Sequence, residues 1–418
     1  MVFTALHRIL GRAPGELTDE MINEAVERGL AETDDLDFKS KLPPAANLSD
    51  TDYPKDIAAM ANSGGGTIIF GVKDVQKVTT ERCDVGVLTE VHERTLRSVA
   101  VTAISPPVFG LDIYALGDSG RQAVAIVVPA SVDVPHLIYR KEYFGAPFRN
   151  DADTVWMKER QIEAMYRARF EQRRHTAEAL EKLYAQLTDS QPIAERPWFI
   201  AAAHPRLPSV SNRLSRSDAT QLFENARTEA KKYDDGAGHP LDSVDRHNPR
   251  PGLRSWIAPN AQTSRWTSWQ ASTASIHDDA SVTLAVNVGG VPRGVQGQSA
   301  PVHEVDASLV EVAVVDFLAL VRVASISRGT KEYEIRVGIA WSGESPLTVY
   351  RNDPRGFSGS EHQLSPAGYR PIVSMVDAGA DDDDYLAQVY ELAKDCLNQV
   401  GIESPWGIKS PKRSDEKA

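Results

Sequence analysis

The sequence predicts an α+β fold in two parts: an N-terminal mixed sheet with helices, then a linking helix, then a second mixed β/α domain. Three observations carry this. Helix-periodic segments and short β-branched runs share the first 157 residues, a long helical pattern occupies 158–190, and six of the seven tryptophans lie past Pro192, where the composition changes. At roughly 150 residues per domain, 418 residues suit two to three domains. The expected boundaries are 1–157, 158–190 and 191–410, with a disordered tail at 411–418.

The elements follow in order. Residues 15–30 set Met21, Ile22, Ala25, Val26 and Leu30 at helical spacing behind Thr18 as N-cap, with acids in the first turn and Gly29 near the end. In ETDDLDFKSKL, Leu36 and Phe38 alternate with Asp35, Asp37 and Lys39, the period of a half-buried strand whose polar face carries charge. A loop at 43–52 leads to a short amphipathic helix from Pro54, with Ile57, Ala58, Met60 and Ala61 apolar. It ends at Asn62-Ser63-Gly64-Gly65-Gly66, and TIIFGV then reads as one buried strand closed by Lys73 and Asp74. A further helix is expected at 87–104, and strands at 108–116 and 121–129 joined by the turn Gly117-Asp118-Ser119-Gly120.

From Lys158 to Leu187 apolar residues recur by threes and fours, as in a domain-linking helix or a dimer seam. Beyond it, WTSWQAS and SVTLAVNV read as strands. Residues 306–324 read as a helix with Val310, Val314, Phe317, Leu318 and Val321 on one face, and 384–400 as a helix whose N-terminus suits the acidic run Asp381 to Asp384. The pairs His277-Asp278 and His204-Pro205 read as turns with surface histidines.

Charge and composition exclude several functions. The balance of 46 basic and 58 acidic residues is −12, so a nucleic-acid site must be a local basic patch, and histone-like coating is excluded. Two distant cysteines, Cys83 and Cys396, supply neither a disulfide framework nor a CxxC zinc site. No leader-like start and no window near ~18 apolar residues occurs, so a cytoplasmic protein off the membrane is expected.

Chemistry concentrates in the N-terminal part. If the strand at Asp37 neighbours the strand ending at Asp74, then Glu32, Asp37 and Asp74 converge at one end of the sheet. Like charges so placed call for a hard cation, Mg2+ or Mn2+, which could polarise a phosphoryl oxygen and activate water. The bland reading is scattered surface acids. Gly64 to Gly66 do not form a phosphate loop, because they follow a helix and precede a strand; they read as a helix C-terminus. Lys39, Lys41, Lys55, Arg140, Lys141 and Arg149, interleaved with Tyr139, Tyr143, Phe144, Phe148 and Trp156, suit a nucleic-acid backbone and unstacked bases.

The segments GLAETDDLDFKSKL, YPKDIAAMANSGGGTIIFGVKD and YFGAPFRNDADTVWMKERQIEAMYRARF together resemble the Schlafen/AlbA domain, also called divergent AAA, over about residues 15–170. Three features match in order. They are an acid five before the acid of LDFK, the A-x-A-N-S-x-G-G segment running to GVKD, and Arg149 with Thr154. The resemblance implies an α+β core, nucleic-acid binding and, as in vertebrate Schlafen relatives, RNA cleavage by an acidic triad that falls here on Glu32, Asp37 and Asp74. Asp37 is one methylene shorter than the more usual Glu, and the zinc site of vertebrate relatives has no counterpart in two lone cysteines. Family members pair two copies of the domain, so a homodimer is implied.

The expected function is therefore a metal-dependent endoribonuclease on tRNA-like RNA, RNA being favoured over DNA, in a stress or anti-phage role in bacteria. In it Glu32, Asp37 and Asp74 hold Mg2+ or Mn2+, Lys39 neutralises charge at the reacting phosphate, and Lys41, Lys55, Arg140, Lys141 and Arg149 bind phosphates. The C-terminal domain would sense an unidentified ligand or protein partner. The alternative is a non-catalytic DNA-binding transcriptional regulator, with ATP binding a third and weaker reading.

Overall fold

The computed structural model describes residues 3–140, 143–208, 213–234, 238–261, 271–290, 292–293, 298–299, 301–351, 361–363 and 368–411. Contacts divide the chain into two units, Met1–Gln172 and Arg173–Ala418. The first contains α1 (Ala5–Leu10), α2 (Asp19–Glu27), β1 (Leu36–Lys39), α3 (Tyr53–Asn62), β2 (Gly66–Phe70), β3 (Val72–Val75), β4 (Val78–Arg82) and α4 (Glu90–Thr102). It continues through β5 (Ile104–Ser105), β6 (Asp112–Leu116), β7 (Ala123–Val128), β8 (Leu137–Arg140), β9 (Tyr143–Gly145), β10 (Pro147–Asn150) and β11 (Asp153–Trp156).

Four strands form the central sheet in the order β1-β2-β7-β6, with β1 parallel to β2 and the other neighbours antiparallel. Alternation sends Ile68, Phe70, Val124 and Ile126 to a core with Ile57, Met60, Leu96 and Ala100 of α3 and α4. It sends Leu36, Phe38, Ile69 and Ala125 to a second core with Leu6, Leu10, Ile22 and Ala25 of α1 and α2. Helices thus cover both faces, and the expectation of a solvated charged face on β1 is corrected: Asp37 is only 1% exposed.

The segment TIIFGV is likewise not one strand. Gly71 adopts φ +102, and a Cβ there would stand 3.0 Å from the carbonyl oxygens of both Cys83 and Gln122. The chain turns after Phe70, so that β3 pairs with β4 as a separate hairpin and carries Asp74 with it. The smaller sheets β5-β8-β9 and β10-β11 complete the unit.

Helix α5 (Glu159–Asp189) spans the division between the units. The second unit holds β12 (Trp198–Pro205), α6 (Arg216–Ala230), β13 (Arg250–Gly252), β14 (Ser255–Ala258), β15 (Ser272–His277) and β16 (Val282–Asn287). It also holds α7 (Ala307–Arg328), β17 (Glu332–Ala340), β18 (Ile372–Asp377) and α8 (Asp382–Asn398). Its sheet is antiparallel in the order β13-β14-β15-β16-β12-β17-β18. Along β12, Phe199, Ala201 and Ala203 face α6, α7 and α8, while Trp198, Ile200 and Ala202 face Leu180 and Tyr184 of α5.

Helix α7 was expected to bury one face; packed by the sheet, α6 and α8, it is buried almost all round. The acidic run works as a helix start, the Asp381 side chain accepting from the Asp384 N–H at 2.9 Å. Trp266 and Trp269 of the expected strand WTSWQAS, and tail residues 412–418, lie outside the described residues. Among those described, no helix is long and apolar enough to cross a membrane.

Replacing Gly71 with Ala forces a side chain into a left-handed backbone position with no room for it. The variant should lose about 1–3 kcal/mol, read as a lower urea midpoint, and an unchanged midpoint would show that the turn does not need glycine.

Candidate nucleic-acid interface

The site is built around Asp37, which β1 turns toward α3. Two cations balance it. Arg149 donates from Nη1 to Asp37 Oδ1 at 3.1 Å, and the Lys39 ammonium lies 2.5 Å from Oδ2 as an ion-pair contact not aligned as a hydrogen bond. The Asp37 and Arg149 side chains are 2% and 3% exposed, so this pair is shielded from water. Arg149 also donates to Thr154 Oγ1 at 3.3 Å and to the carbonyls of Thr33 at 3.3 Å and Ala152 at 3.1 Å.

The end of α3 locks the same assembly. The Arg149 N–H donates to Ser63 Oγ at 2.8 Å. Asn62 donates from Nδ2 to the carbonyls of His136 and Pro147, at 2.9 and 2.7 Å, and its Oδ1 accepts the His136 N–H at 2.6 Å. The Asn-Ser pair and the Arg-Thr pair, far apart in sequence, are thus one hydrogen-bonded unit joining α3, β1 and the β10-β11 hairpin. The glycines after Ser63 close the helix as expected, the Gly65 N–H donating to the Met60 carbonyl at 2.9 Å.

A cleft of about 390 Å³ opens over the ion pair, lined by Glu32, Asp37, Lys39, Lys41, Asp52, Lys55, Asp56, Arg149 and Thr154 among others. Its charges are strongly coupled. Burial, with the charges of Asp37 and Asp74, lifts Glu32 above the usual carboxylate range, although its Oε1 accepts the Phe38 N–H at 3.1 Å. Burial pushes Asp56 up to about 6 against the opposing pull of Lys39 and Lys55. For Lys39, burial acts downward, but the negative charges of Asp37, Asp56 and Glu32 outweigh it and hold the ammonium charged. Lys55 sits 2.9 Å from Asp52 and 3.8 Å from Asp56, and Lys41 is exposed on the rim.

Of the expected metal-ligand set, Glu32 and Asp37 share this cleft and Asp74 does not line it. Asp74 lies on the β3-β4 hairpin, where its Oδ2 accepts the Lys77 N–H at 3.3 Å, and only its charge reaches Glu32. Asp37 is matched by two cations, and among the described residues no three His, Cys, Asp or Glu side chains stand as a group that could hold a metal ion. As placed, the three carboxylates share an electrostatic neighbourhood and not a coordination shell.

Among the expected phosphate-binding cations, Lys41 and Lys55 line the cleft, together with Lys39. Arg149 is in its wall, but its guanidinium is committed to Asp37, Thr154 and two carbonyls. Lys141 and the side chain of Arg140 lie outside the described residues. In the second unit His204 is buried at the end of β12 and His277 half-buried at the end of β15; burial holds the His277 pKa below its usual value, so neither is the surface histidine expected.

Asp56 was missed by sequence reasoning. The signal was present: Tyr53, Asp56, Ile57 and Met60 follow the i, i+3, i+4, i+7 pattern, and all four are buried, so an acid falls on the inward stripe of α3.

Residues 32–158 match the family described as Schlafen, AlbA_2. No curated protein matches the chain. Among solved structures, the N-terminal domain of an ATP-dependent DNA helicase RecG-related protein from Nitrosomonas europaea is similar at 14% identity and TM-score 0.26, over 34% of this chain and 94% of that one. A protein from Corynebacterium diphtheriae is similar at 15% identity and TM-score 0.23, over 50% of this chain and 32% of that one.

Two variants test the electrostatics. Because folding raises the Asp56 pKa, its ionisation removes stability as pH climbs from about 4 to about 6, and the penalty stays constant above that. Asp56→Asn should stabilise the fold by about 1–3 kcal/mol near pH 7 and by nothing at pH 4 in urea unfolding. Arg149→Ala strands Asp37 with Lys39 alone and should cost about 3–5 kcal/mol in the same measurement. A loss below about 1 kcal/mol would mean that the buried pair is dispensable.

Proposed function

We propose that the N-terminal unit, which carries the Schlafen/AlbA_2 match, binds nucleic-acid strands in this cleft and cleaves RNA there. The observation that supports the reading is the placing, within one cleft, of Asp56, pushed up to about 6, and Glu32, raised above its usual range, beside Lys39, which its acidic neighbours hold charged. Lys41 on the rim, with Lys39 and Lys55 inside, offers charge-assisted contacts to backbone phosphates. Lys39 and Lys55 are paired with Asp37, Asp52 and Asp56 in the same cleft, so a phosphate must exchange for those partners there, and Lys41 on the rim is the cation placed to meet it first.

Cleavage would proceed within the strand. Asp56, poised near pH 6, takes the proton of a ribose 2′-hydroxyl as that oxygen attacks the adjacent phosphorus. The bond to the 5′-oxygen breaks, the leaving oxygen takes a proton from Glu32, and the products are a cyclic 2′,3′-phosphate and a 5′-hydroxyl. Lys39 faces the charge that grows on the non-bridging oxygens. The chemistry requires a 2′-hydroxyl and so selects RNA over DNA. The carboxylates as placed do not fit Mg2+ or Mn2+, since Asp37 is matched by Lys39 and Arg149 and Asp74 stands outside the cleft, so the step proposed here runs on side chains alone.

The matching of Asp37 by Lys39 and Arg149 favours a second reading, a binding domain without catalysis in which the acids are structural. The two separate in one experiment. The full chain is incubated with tRNA and with duplex DNA, with Mn2+ or with EDTA, beside Asp56→Asn and Lys41→Ala. Cleavage of tRNA that rises with pH through about 6, and falls by roughly 100-fold or more in Asp56→Asn, is the expected result. Lys41→Ala should weaken binding and lower its salt slope by about 1. Intact tRNA with salt-sensitive retention leaves the non-catalytic reading, and no retention of either polymer overturns both.

A further inference from the structure

We infer that the second unit holds a binding site for an uncharged polyhydroxylated small molecule, a free sugar or a nucleoside, between the last turns of α5 and the strands β14, β15 and β16. A cavity of about 270 Å³ stands there, lined entirely by residues of that unit. Its floor is one face of the sheet. Ser275 opposes Thr283 on β16 and Ile257 on β14, and His277 opposes Ser255, so strand alternation sends these side chains to the same side. The face continues through Ala285 to Ile200 and Ala202 on β12, where it is apolar and closed by Leu180 and Tyr184 of α5.

That change of character along one face locates the site. Where α5 packs directly, the sheet offers alanine and isoleucine; beside Ala202 it turns to the buried hydroxyls of Thr283 and Ser275, with the cavity over them. Ser275 Oγ lies 2.6 Å from Thr283 Oγ1 and 3.1 Å from His277 Nε2, so the three groups form a chain. Each member can donate or accept, and the chain can therefore run in either direction. A ligand hydroxyl, itself donor and acceptor, is matched by such a chain. From the helix, Gln186 adds an amide, while Leu183 and Leu187, one turn apart, give the apolar contact that the C–H face of a sugar ring needs. Charge excludes the alternatives. Among the described residues that line the cavity there is no Asp, Glu, Lys or Arg, and burial keeps the His277 imidazole neutral at pH 7. A phosphate or carboxylate placed here would find no counter-charge.

The test titrates the full chain with glucose, ribose and adenosine, and with glucose 6-phosphate, ribose 5-phosphate and adenosine 5′-monophosphate, read by ligand-observed NMR. At least one neutral probe should bind with a Kd at or below about 1 mM, and its phosphate roughly 10-fold more weakly or worse. Binding of glucose or ribose identifies a free sugar, and binding of adenosine alone a nucleoside; both support the site. Ser275→Ala and Thr283→Val remove one hydroxyl each and should weaken binding roughly 10-fold, with circular dichroism confirming the fold. Gln186→Ala changes an exposed helix position, which leaves the fold intact, and should weaken binding roughly 3-fold. No saturable binding of any neutral probe up to about 10 mM overturns the inference. So does a phosphate that binds as tightly as its neutral parent, or binding that survives both Ser275→Ala and Thr283→Val.

Discussion

The N-terminal unit depends on a single buried ion pair between Asp37 and Arg149. Burying two charges is expensive, and such a pair adds little stability over a well-packed apolar contact. What it supplies here is position. Arg149 bonds at once to β1, to the approach loop at Thr33, to its own hairpin at Ala152 and Thr154, and through its backbone to Ser63 after α3. Four segments distant in sequence are held in one relative placement, because any slip would leave a charge in a site with no water to solvate it.

The cleft follows from that placement. With Asp37 already matched by two cations, the neighbouring Glu32 and Asp56 are left in a half-dry pocket where their ionised forms are disfavoured, while Lys39 is kept charged by the same acids. The result is Asp56, poised at about 6, and a raised Glu32 beside a Lys39 that stays charged. This division of labour suits the binding and rearrangement of a phosphodiester.

Much of this was legible in the sequence. The alternation around Asp37 identifies which side chains share a face, and the helices beginning near Pro54 and Ala307 and the long helix before Pro192 stand where their periodicity puts them. The acids Glu32 and Asp37, five residues apart, do meet in one cleft. Three things were not legible, each for a physical reason. Alternation says that Asp37 opposes Leu36 and Phe38 but not that a helix covers its side too. A β-branched run says nothing of a left-handed turn inside it, so Gly71 redirects Asp74 away from the cleft. Arg149 reads as a phosphate-binding cation until its buried partner is seen, because a charge in a sequence carries no label for what neutralises it.

The central claim is that a nucleic-acid strand occupies the cleft between β1 and α3, and photochemical crosslinking tests it most directly. RNA substituted with a photoreactive uridine is bound to the full chain, irradiated, and the attached peptides are identified. The account predicts crosslinks within residues 32–56 and 139–156. Crosslinks confined to residues beyond 190, under conditions where binding is salt-sensitive, would contradict it.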